Sequence, residues 1–383
     1  MISTITKAIP KLEYKKLLAA LTLQKTRAVV NPFHVPSRKQ KHSKEKPAIY
    51  IYRYDNTKIS QIQPNSLEEC LKPASTGQIT WINIDSLQKH EVETIGTHYG
   101  LHTLLQEDIL SHGQRPKMDE IDNVLFVLMN MLFIDKETHQ IETEQISIVL
   151  SNNTVISFQE DAERDVFDPI RTKLKLDNSK LRQATADHLF YSLIDVIVDS
   201  YFMVIEQLGE QIETLEEELL LKPSPSAFAK INQIRKDIIL LKRNTNPVRD
   251  LVASLIRSES ELLNDRTTKY FKDVYDHIVQ VNDLTENYRD LIMSMQDMYI
   301  NSVNLRMNEV MKTLAIITAI MAPATVIGGI FGMNFDIIPY LHHKWGFYGT
   351  VLLMLVIPII MIWYFKRRGW FAKDIPEDTQ KTI

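Results

Sequence analysis

The stretch GGIFGMNFDIIPYLHHKWG, from Gly328 to Gly346, lies between two strongly apolar runs of the sequence. The run before it, TLAIITAIMAPATVIGGIFGMNF at 313–335, contains no charged residue. The run after it, WGFYGTVLLMLVIPIIMIWYF at 345–365, is also uncharged. As helices they would reach about 34 Å and about 31 Å, which is enough to cross the ~30 Å hydrocarbon core of a bilayer. The sequence therefore predicts a transmembrane hairpin of two helices, joined by an outward-facing loop at 336–344.

Basic residues predict the orientation of this hairpin. Residues 366–368, KRR, follow the second run, and Arg306 and Lys312 precede the first, whereas the connecting loop carries only Lys344. Because loops rich in Lys and Arg remain on the cytoplasmic side, both termini are predicted to be cytoplasmic, including a basic tail at 366–383. This pattern indicates a multi-pass protein of the cell (inner) membrane.

The rest of the chain predicts a large cytoplasmic part. A mean hydropathy of −0.15 is typical of a soluble protein, but it averages a long polar part with an apolar end. Stretches of β-strand composition, AIYIYRY, TWINI, NVLFVLMNMLFI, QISIVL and NTVISF, fall within residues 48–186 and predict an α/β domain. Residues 187–262 are acidic and predict two antiparallel helices. The first is expected to end near Pro223 and the second near Asn246, where the sequence NPV interrupts it.

Charge, cysteine content and motifs exclude several classes of protein. The formal net charge of −4 gives no indication of a nucleic-acid partner, and the single cysteine, Cys70, excludes an intramolecular disulfide. No P-loop, dinucleotide fingerprint or HExxH motif occurs, so an enzyme is not expected. Residues 1–47 are basic and predict a flexible leader, with a transit peptide or a partner-binding segment as alternatives.

A seven-residue repeat marks one face of a long helix. No glycine or proline occurs from Asp265 to the residue before Pro323, so 263–335 are predicted to form a stalk helix that continues into the first membrane run. Polar residues recur at every seventh position, and the same step continues into the membrane run: Asp276, Asp283, Asp290, Asp297, Asn304, Met311, Thr318, Thr325 and Gly332. A seven-residue step stays on one face of a gently supercoiled helix.

This face has two interpretations. It is either the solvated outer side of a long helix, or it faces a central axis shared by several copies, because two membrane helices cannot enclose a pore. The second interpretation accounts better for the membrane half, where threonine and glycine would otherwise face lipid. It places Asp290 and Asp297 at the cytoplasmic mouth of a pore, where they would attract cations.

Several short motifs resemble a known family. FGMNF ends the first membrane run and KWG begins the second, and NEVMKTL, QRPK and KDVYDH begin at Asn308, Gln114 and Lys272. In this arrangement the motifs resemble the CorA magnesium transporter family, whose hallmark is Gly-Met-Asn in a two-helix C-terminal hairpin. The resemblance spans roughly residues 48–371. It implies a funnel-shaped homopentamer with an α/β cytoplasmic domain, which carries hydrated divalent cations across the lipid bilayer.

The resemblance also implies roles for individual residues. The selectivity filter corresponds to Gly332, Met333 and Asn334. The pore and its gate correspond to Asn308, Met311, Leu314, Thr318, Ala322 and Thr325. Regulatory metal sites between neighbouring subunits correspond to Glu107, Asp108 and Asp273. Three positions depart from the family: Phe331 replaces a tyrosine, Ala322 a methionine, and Tyr340 a glutamate of the outer loop, which leaves Asp336 as that loop's carboxylate.

Asn334 has a chemical reason to serve as a filter. Mg²⁺ binds its water tightly and takes octahedral oxygen ligands at ~2.1 Å. Five amide oxygens would hydrogen-bond the hydration shell without stripping it, so the ion could leave again. Gly332 would allow close backbone approach and an unusual dihedral. Helix capping by Asn334 is the alternative role.

These residues predict influx of Mg²⁺ driven by the membrane potential, with Mg²⁺ also acting as the regulatory ligand and Co²⁺ or Ni²⁺ as alternative substrates. Bound Mg²⁺ would close the pore by neutralising facing carboxylates. One alternative is a zinc transporter of the same superfamily, possible because His342 and His343 lie in the outer loop. The other is a membrane-anchored helical scaffold that carries no ion.

Overall fold

The computed structural model describes residues 48–371 except 74, 76, 136–139, 162–163, 222, 335–338 and 340–342. The predicted leader at 1–47 and the tail beyond residue 371 lie outside the described residues. So do most residues of the outer loop, including Asp336, Tyr340 and His342. The predicted fold class, an α/β domain followed by long helices and an apolar hairpin, is confirmed.

The described part of the α/β domain contains a seven-stranded sheet. Its strands are β1 Ala48–Tyr54, β2 Ile59–Ile62, β3 Ile79–Asp85, β4 Lys117–Ile121, β5 Val124–Ile134, β6 Ile141–Ser151 and β7 Thr154–Gln159. The spatial order is β2-β1-β3-β7-β6-β5-β4, in which β3 and β7 are parallel and the other neighbours antiparallel. Each of the five stretches predicted as strands forms one, and β2 and β4 are additional.

Four short helices accompany the sheet: α1 Leu67–Cys70, α2 Lys89–His98, α3 Thr103–Leu110 and α4 Asp168–Lys175. Side chains of a strand alternate between the faces of a sheet, and here both faces are covered. On β5, Leu125 and Val127 join the core that includes α4 and the long helices, whereas Phe126 and Leu128 join the core that includes α1–α3. Helix α3 and the long helices therefore lie on opposite faces.

Two long antiparallel helices follow the sheet, α5 Ala186–Leu221 and α6 Pro225–Arg257. The Ser224 hydroxyl accepts a hydrogen bond of 3.1 Å from the Ala227 N–H and caps the start of α6. Pro225 occupies the first turn, where its missing N–H costs nothing. These residues explain why the chain turns sharply between the two helices.

Helix α6 continues through Pro247, so the predicted interruption at NPV is wrong. A proline inside a helix removes one hydrogen bond and strains the preceding turn, at a cost of about 3 kcal/mol. Pro247 is itself buried. Its neighbours Val248, Leu251 and Val252 belong to the core that α6 shares with α5 and the stalk helix. Burial of this apolar face offsets the local cost.

The stalk helix, α7, runs from Asp265 to Phe331, and its 67 residues give it a length of about 100 Å. Its start is tied to α5, because Asp187 accepts hydrogen bonds of 2.9 Å and 3.1 Å from the Asn264 backbone N–H and side-chain amide. Pro323 lies inside the helix. The helix ends with Gly332 as its C-cap, earlier than the expected end at residue 335.

The last helix, α8, runs from Gly346 to Arg367. Among the described residues, three helices are long and apolar enough to cross a membrane, namely α5, α7 and α8. The most apolar window of α5 is 56% buried within the protein, whereas that of α7 is 6% buried and that of α8 is 0% buried. Helix α5 is therefore a core helix. The apolar surfaces of α7 and α8 need lipid or other protein to cover them, as a membrane hairpin does.

A buried carboxyl group on β6 predicts a pH-dependent stability. Glu144 accepts hydrogen bonds of 3.1 Å and 3.0 Å from the backbone N–H groups of Glu160 and Asp161. Burial raises the pKa of Glu144 to about 8, and the charges of Glu160 and Asp161 also raise it. The folded state thus retains a proton that the unfolded state loses at lower pH. We expect the contribution of Glu144 to stability to be complete below pH ~4.5 and to fall by ~1.4 kcal/mol per pH unit up to pH ~8.

Thermal unfolding of the wild type and of Glu144→Gln, measured across this pH range, tests the expectation. The variant cannot ionise at this position, so its unfolding temperature should decrease less than that of the wild type as the pH rises. Equal pH dependence in the two proteins would show that Glu144 is ionised in the folded state.

Candidate functional site

The seven-residue stripe of α7 lies on the side of the helix that the rest of the chain leaves uncovered. All nine residues of the stripe, from Asp276 to Gly332, are exposed. The opposite side of the helix is buried against α5 and α6 through Val274, Ile278 and Val281. The stripe is therefore available to face an axis shared with other copies, and the two aspartates predicted at the pore mouth, Asp290 and Asp297, belong to it.

The predicted gate residues share this uncovered side. Asn308 is exposed. Met311 and Leu314 are 60% and 58% exposed, which is unusual for large apolar side chains unless another surface covers them. Their spacing of three residues places them on one face, about one turn apart. The structure therefore aligns these three residues as a pore gate requires, but one chain does not close the gate.

The next two turns of the stripe present hydroxyl groups. Thr318 and Thr325 donate hydrogen bonds of 2.9 Å and 3.0 Å to the carbonyls of Leu314 and Met321 in the preceding turn. Because the hydroxyl protons are used within the helix, the outward-facing lone pairs can accept hydrogen bonds from water. Ala322 lies between them in a shallow groove of about 460 Å³. This part of the helix is suited to a hydrated ion.

The predicted filter residues follow the end of α7. Gly332 is the C-cap, so Asn334 lies beyond the helix and does not cap it. The φ of Gly332 is −87°, so the structure does not use the unusual dihedral that glycine allows there. A side chain at Gly332 would nevertheless place its Cβ 3.0 Å from the Gly328 carbonyl oxygen, so the position has little space. Met333 is 50% exposed and Asn334 is also exposed, so both side chains are accessible at the end of α7.

The predicted regulatory acids are separated within one chain. Glu107 and Asp108 lie on α3, on one face of the sheet, whereas Asp273 lies on α7, on the other. Asp108 is paired with Lys117, whose Nζ is 2.6 Å from the carboxylate and 3.0 Å from Asp119. Burial lowers the pKa of Lys117, but its hydrogen bonds to Asp108 and Asp119 outweigh this and raise it. A site shared by α3 and Asp273 would need two subunits.

A cluster that the sequence analysis missed lies beside Asp273. The ligand atoms of Asp195, Asp199 and His277 lie within 4.8 Å of one another, an arrangement that can hold a metal ion. The Tyr191 hydroxyl donates a hydrogen bond of 3.2 Å to Asp195. Burial raises the pKa of Asp195, and the charges of Asp199 and Asp273 raise it further, while the Tyr191 hydrogen bond lowers it. Carboxylates thus accumulate where α5 meets α7.

The signal for this cluster was present in the sequence. Asp195 and Asp199 are four residues apart on α5, and Asp273 and His277 are four residues apart on α7, so each pair occupies one helix face. The sequence alone does not show that these two helix faces pack against each other. That contact depends on the parallel packing of two helices, α5 and α7, whose facing residues are almost eighty positions apart in the chain.

Hydrogen bonds that are half-buried or buried connect α3 with α6. Gln145 donates to the carbonyl of Asp108 at 3.1 Å and accepts from the Gln114 N–H at 3.4 Å. The Asn130 amide donates to the Gln114 carbonyl at 3.2 Å and to Asn244 on α6 at 2.9 Å. The backbone that carries Asp108 is thus linked through the sheet to a long helix.

The next residue of α6 extends this connection to the stalk. The Thr245 hydroxyl donates a hydrogen bond of 2.6 Å to the Asn282 side-chain oxygen on α7, and both residues are buried. Within the described residues the Asn282 amide nitrogen has no protein partner. Within the described residues, the hydrogen bond from Thr245 is therefore the one that joins the Asn282 side chain to another helix.

We expect Thr245→Val to destabilise the protein by about 1–3 kcal/mol, because it leaves the Asn282 oxygen buried without a donor. Adding Asn282→Leu should recover part of this loss, since it removes the stranded amide altogether. A double-mutant cycle of unfolding free energies measures the coupling between the two side chains. Strictly additive effects would mean that the two residues do not interact.

The comparisons with known proteins agree on one family. The model of the CorA-like Mg²⁺ transporter protein family matches residues 76–367. The cobalt/magnesium transport protein CorA of Thermotoga maritima is 38% identical over 323 residues, which cover 84% of this chain and 92% of the relative. The zinc transport protein ZntB of Yersinia enterocolitica is 20% identical over 328 residues, which cover 84% of this chain and 96% of the relative.

A solved structure shows the same fold. The CorA magnesium transporter from Methanocaldococcus jannaschii superposes with a TM-score of 0.71 at 23% sequence identity, covering 84% of this chain and 98% of the other. At this level of identity the likeness concerns the fold alone. It extends over both the α/β domain and the helices that follow it.

Proposed function

Because this chain belongs to the CorA-like Mg²⁺ transporter family, whose members are transporters of divalent cations rather than enzymes, we propose that it forms a homopentameric channel for Mg²⁺ entry. The observation that carries the proposal is the continuous exposed stripe of α7, which leads to the exposed residue Asn334. Five copies arranged about the stripe bring polar and small side chains to one axis. Both termini of each chain then lie in the cytoplasm, and α7 and α8 cross the membrane.

Asn334 selects the ion through its hydration shell. An amide oxygen accepts hydrogen bonds from the water of Mg²⁺, and five of them form a ring without a net charge. The ion remains hydrated and is released again, which fast conduction requires. The relative from Thermotoga maritima carries cobalt and magnesium in its name, which supports Mg²⁺ and Co²⁺ as cargo here. Transport of Ni²⁺ stays a prediction.

The membrane potential drives entry. A charge that crosses the membrane gains about 2.3 kcal/mol per 100 mV, and a divalent ion gains roughly twice that. No charged residue occurs from Thr313 to Phe335, so no carboxylate relay for coupled proton movement lies in this segment. Asp290 and Asp297 at the cytoplasmic mouth raise the local concentration of cations.

Internal Mg²⁺ closes the channel at subunit contacts. The carboxylates of Asp195 and Asp199 in the cluster and of nearby Asp273 repel one another when no cation is bound, and Glu107 and Asp108 of a neighbouring subunit add further negative charge. A bound divalent ion neutralises this charge and holds the subunits together, which keeps Met311 and Leu314 close to the axis. Loss of the ion allows the subunits to separate and the pore to widen.

Zinc transport is the alternative, because the zinc transport protein of Yersinia enterocolitica also matches most of the chain. The outer-loop histidine that the structure describes gives it little support. Nδ1 of His343 accepts a hydrogen bond of 3.3 Å from the Trp345 N–H, so Nε2 alone remains available to a metal. A single exposed imidazole is a weak zinc site.

Ion flux into liposomes containing the purified protein tests the proposed function. Mg²⁺ entry should appear when a potential, negative inside, is imposed, and should cease when the potential is removed. The same vesicles, tested with Zn²⁺ and a proton gradient, distinguish the alternative. Zn²⁺ entry that requires the proton gradient, without Mg²⁺ entry, would reject the magnesium channel. Absence of flux for every ion would favour the scaffold.

A further inference from the structure

We propose that the cytoplasmic end of α8 is a binding site for the phosphate groups of anionic phospholipids, held by Arg367 and Arg368. The inference rests on the proposed function in one respect, namely that α8 crosses the membrane with its C-terminal end at the cytoplasmic surface. The proposed site adds a lipid partner that the ion pathway does not require. It is inferred from the backbone turn and the side-chain contacts at the C-terminal end of α8.

The backbone at the end of α8 turns back toward the membrane. Gly369 has a φ of +74°, which the sharp turn requires. The Trp370 N–H donates to the Phe365 carbonyl at 3.0 Å and the Gly369 N–H donates to the Lys366 carbonyl at 3.2 Å, which is the Schellman arrangement. The Trp370 ring stacks on Phe365 with centroids 5.0 Å apart and planes 16° from parallel. The tryptophan is therefore held against the helix.

Two guanidinium groups are held over aromatic rings of the same helix end. Arg367 lies 5.3 Å from the centroid of the Trp363 ring, and Arg368 lies 5.6 Å from that of Tyr364. These cation–π contacts direct the arginines back along the helix, toward the bilayer. Basic side chains at helix ends usually extend toward water. Here the rings restrain them, while both arginines remain exposed.

The depth of these groups matches that of lipid phosphates. From Trp345 to Trp363 the helix advances about 27 Å, close to the thickness of the hydrocarbon core. Tryptophan and tyrosine rings favour the boundary between hydrocarbon and headgroups. A guanidinium above such a ring therefore lies in the headgroup layer. There its planar fork can donate two parallel hydrogen bonds to one phosphate.

The described chain does not supply a counter-ion for this site. Within the described residues, none of Lys366, Arg367 and Arg368 forms an ion pair with a carboxylate. By contrast, Arg164 and Arg182 of the cytoplasmic domain each contact a carboxylate at 2.8 Å. Three cations within three residues at a membrane surface attract an anion, and the anionic headgroup is the one that the membrane provides.

The acidic C-terminal end of α5 in another copy is the alternative partner for Arg367 and Arg368. It lies too far from the membrane segment to contact them. Phe228 of α6 stacks on Tyr299 of α7 with centroids 4.9 Å apart, which fixes the turn between α5 and α6 along the stalk. Tyr299 lies 14 residues before Thr313, and Pro225 extends one turn beyond Phe228. The turn therefore ends about 15 Å short of the membrane segment. Glu218, near this turn, is already paired with Lys230 at 2.6 Å.

Native mass spectrometry of the full-length protein, with phosphatidylglycerol or phosphatidylcholine added in detergent, tests the site. Both lipids carry a phosphate, but the choline cation opposes the basic cluster. We expect the wild type to retain phosphatidylglycerol at least about tenfold better than phosphatidylcholine. Arg367→Gln with Arg368→Gln should reduce this preference to about twofold or less. Arg367→Lys with Arg368→Lys should give an intermediate value, because lysine keeps the charge but not the fork.

The matched control is Arg235→Gln with Arg257→Gln, which removes two charges from exposed positions of α6. It should retain the wild-type preference. Equal retention of the two lipids by the wild type, or equal losses in the glutamine variant and the control, would overturn the proposal. So would a glutamine variant that binds phosphatidylglycerol normally but loses subunits, since the partner would then be another copy. Lipid retention is read without ion flux, so a protein that fails to carry Mg²⁺ still tests this site.

Discussion

Replacing Asn334 with alanine is expected to reduce Mg²⁺ entry into liposomes by at least about 100-fold. In the proposed pentamer each amide would contribute a hydrogen bond to the hydration shell worth about 1 kcal/mol, and the substitution removes all five together. The methyl group of alanine offers no acceptor, so the hydrated ion would meet an apolar ring at this position. We expect the hydrated ion to bind no longer at this position, and conduction to be lost as a result. Flux of Mg²⁺ at a fixed membrane potential, normalised to the amount of reconstituted pentamer, is the measurement.

Thr350→Ala is the matched control for this substitution. It removes one polar group from α8, where the Thr350 hydroxyl donates to the Gly346 carbonyl of its own helix at 2.9 Å. It should conduct as the wild type does. If Asn334→Ala also conducts normally, the amide is not part of the ion pathway. A reduction of similar size in both variants would indicate general damage to the hairpin.

The fold is predictable where local patterns are long and uniform. β5 is a long apolar run, β6 ends in the shorter stretch QISIVL, and the stalk of 67 residues is free of glycine and proline before Pro323, so these patterns identify all three elements. β4 was missed because its sequence, KMDEI, is that of an edge strand. Its polar residues Lys117 and Asp119 pair with each other at 3.0 Å rather than marking a turn. The alternation of an apolar face is therefore absent.

The error at Pro247 has a different cause. The local rule that proline ends a helix is sound, but it concerns an isolated helix. In this protein Pro247 and Thr245 are buried where α6 packs against α7, and packing along the whole helix outweighs one lost hydrogen bond. Sequence rules cannot weigh this, because the packing partner lies in a distant part of the chain.

The candidate site also has a part that the sequence predicts and a part that it does not. The seven-residue stripe lies on α7 and its C-cap, so its step placed all nine residues on one face, and the structure shows them exposed together. The cluster of Asp195, Asp199 and His277 joins two helices, and only the fold brings it together. Gly332 shows a third case, because glycine is needed there for space and not for an unusual φ. The sequence alone does not show whether a glycine is required for space or for an unusual φ.

The cluster also changes the interpretation of Asp273. From the sequence this residue was paired with Glu107 and Asp108, but within one chain it neighbours Asp195 and Asp199, and its charge raises the pKa of Asp195. A divalent ion bound there screens several carboxylates at once. A fixed positive charge at residue 273 would do the same permanently. The opening force proposed for the channel, which is carboxylate repulsion, would then be absent at every Mg²⁺ concentration.

Asp273→Lys is therefore expected to keep the channel closed without internal Mg²⁺. In the wild type, removing Mg²⁺ from the cytoplasmic side should raise flux by about tenfold or more, a usual size for coupling between sites. In the variant, flux should stay near the closed level with or without internal Mg²⁺. Glu261→Lys makes the same charge change at an exposed position of the loop before α7 and should leave the Mg²⁺ response intact. If Asp273→Lys still needs internal Mg²⁺ to close, the acids around Asp195 do not control the gate. If it opens as widely as the wild type, carboxylate repulsion is not the force that separates the subunits.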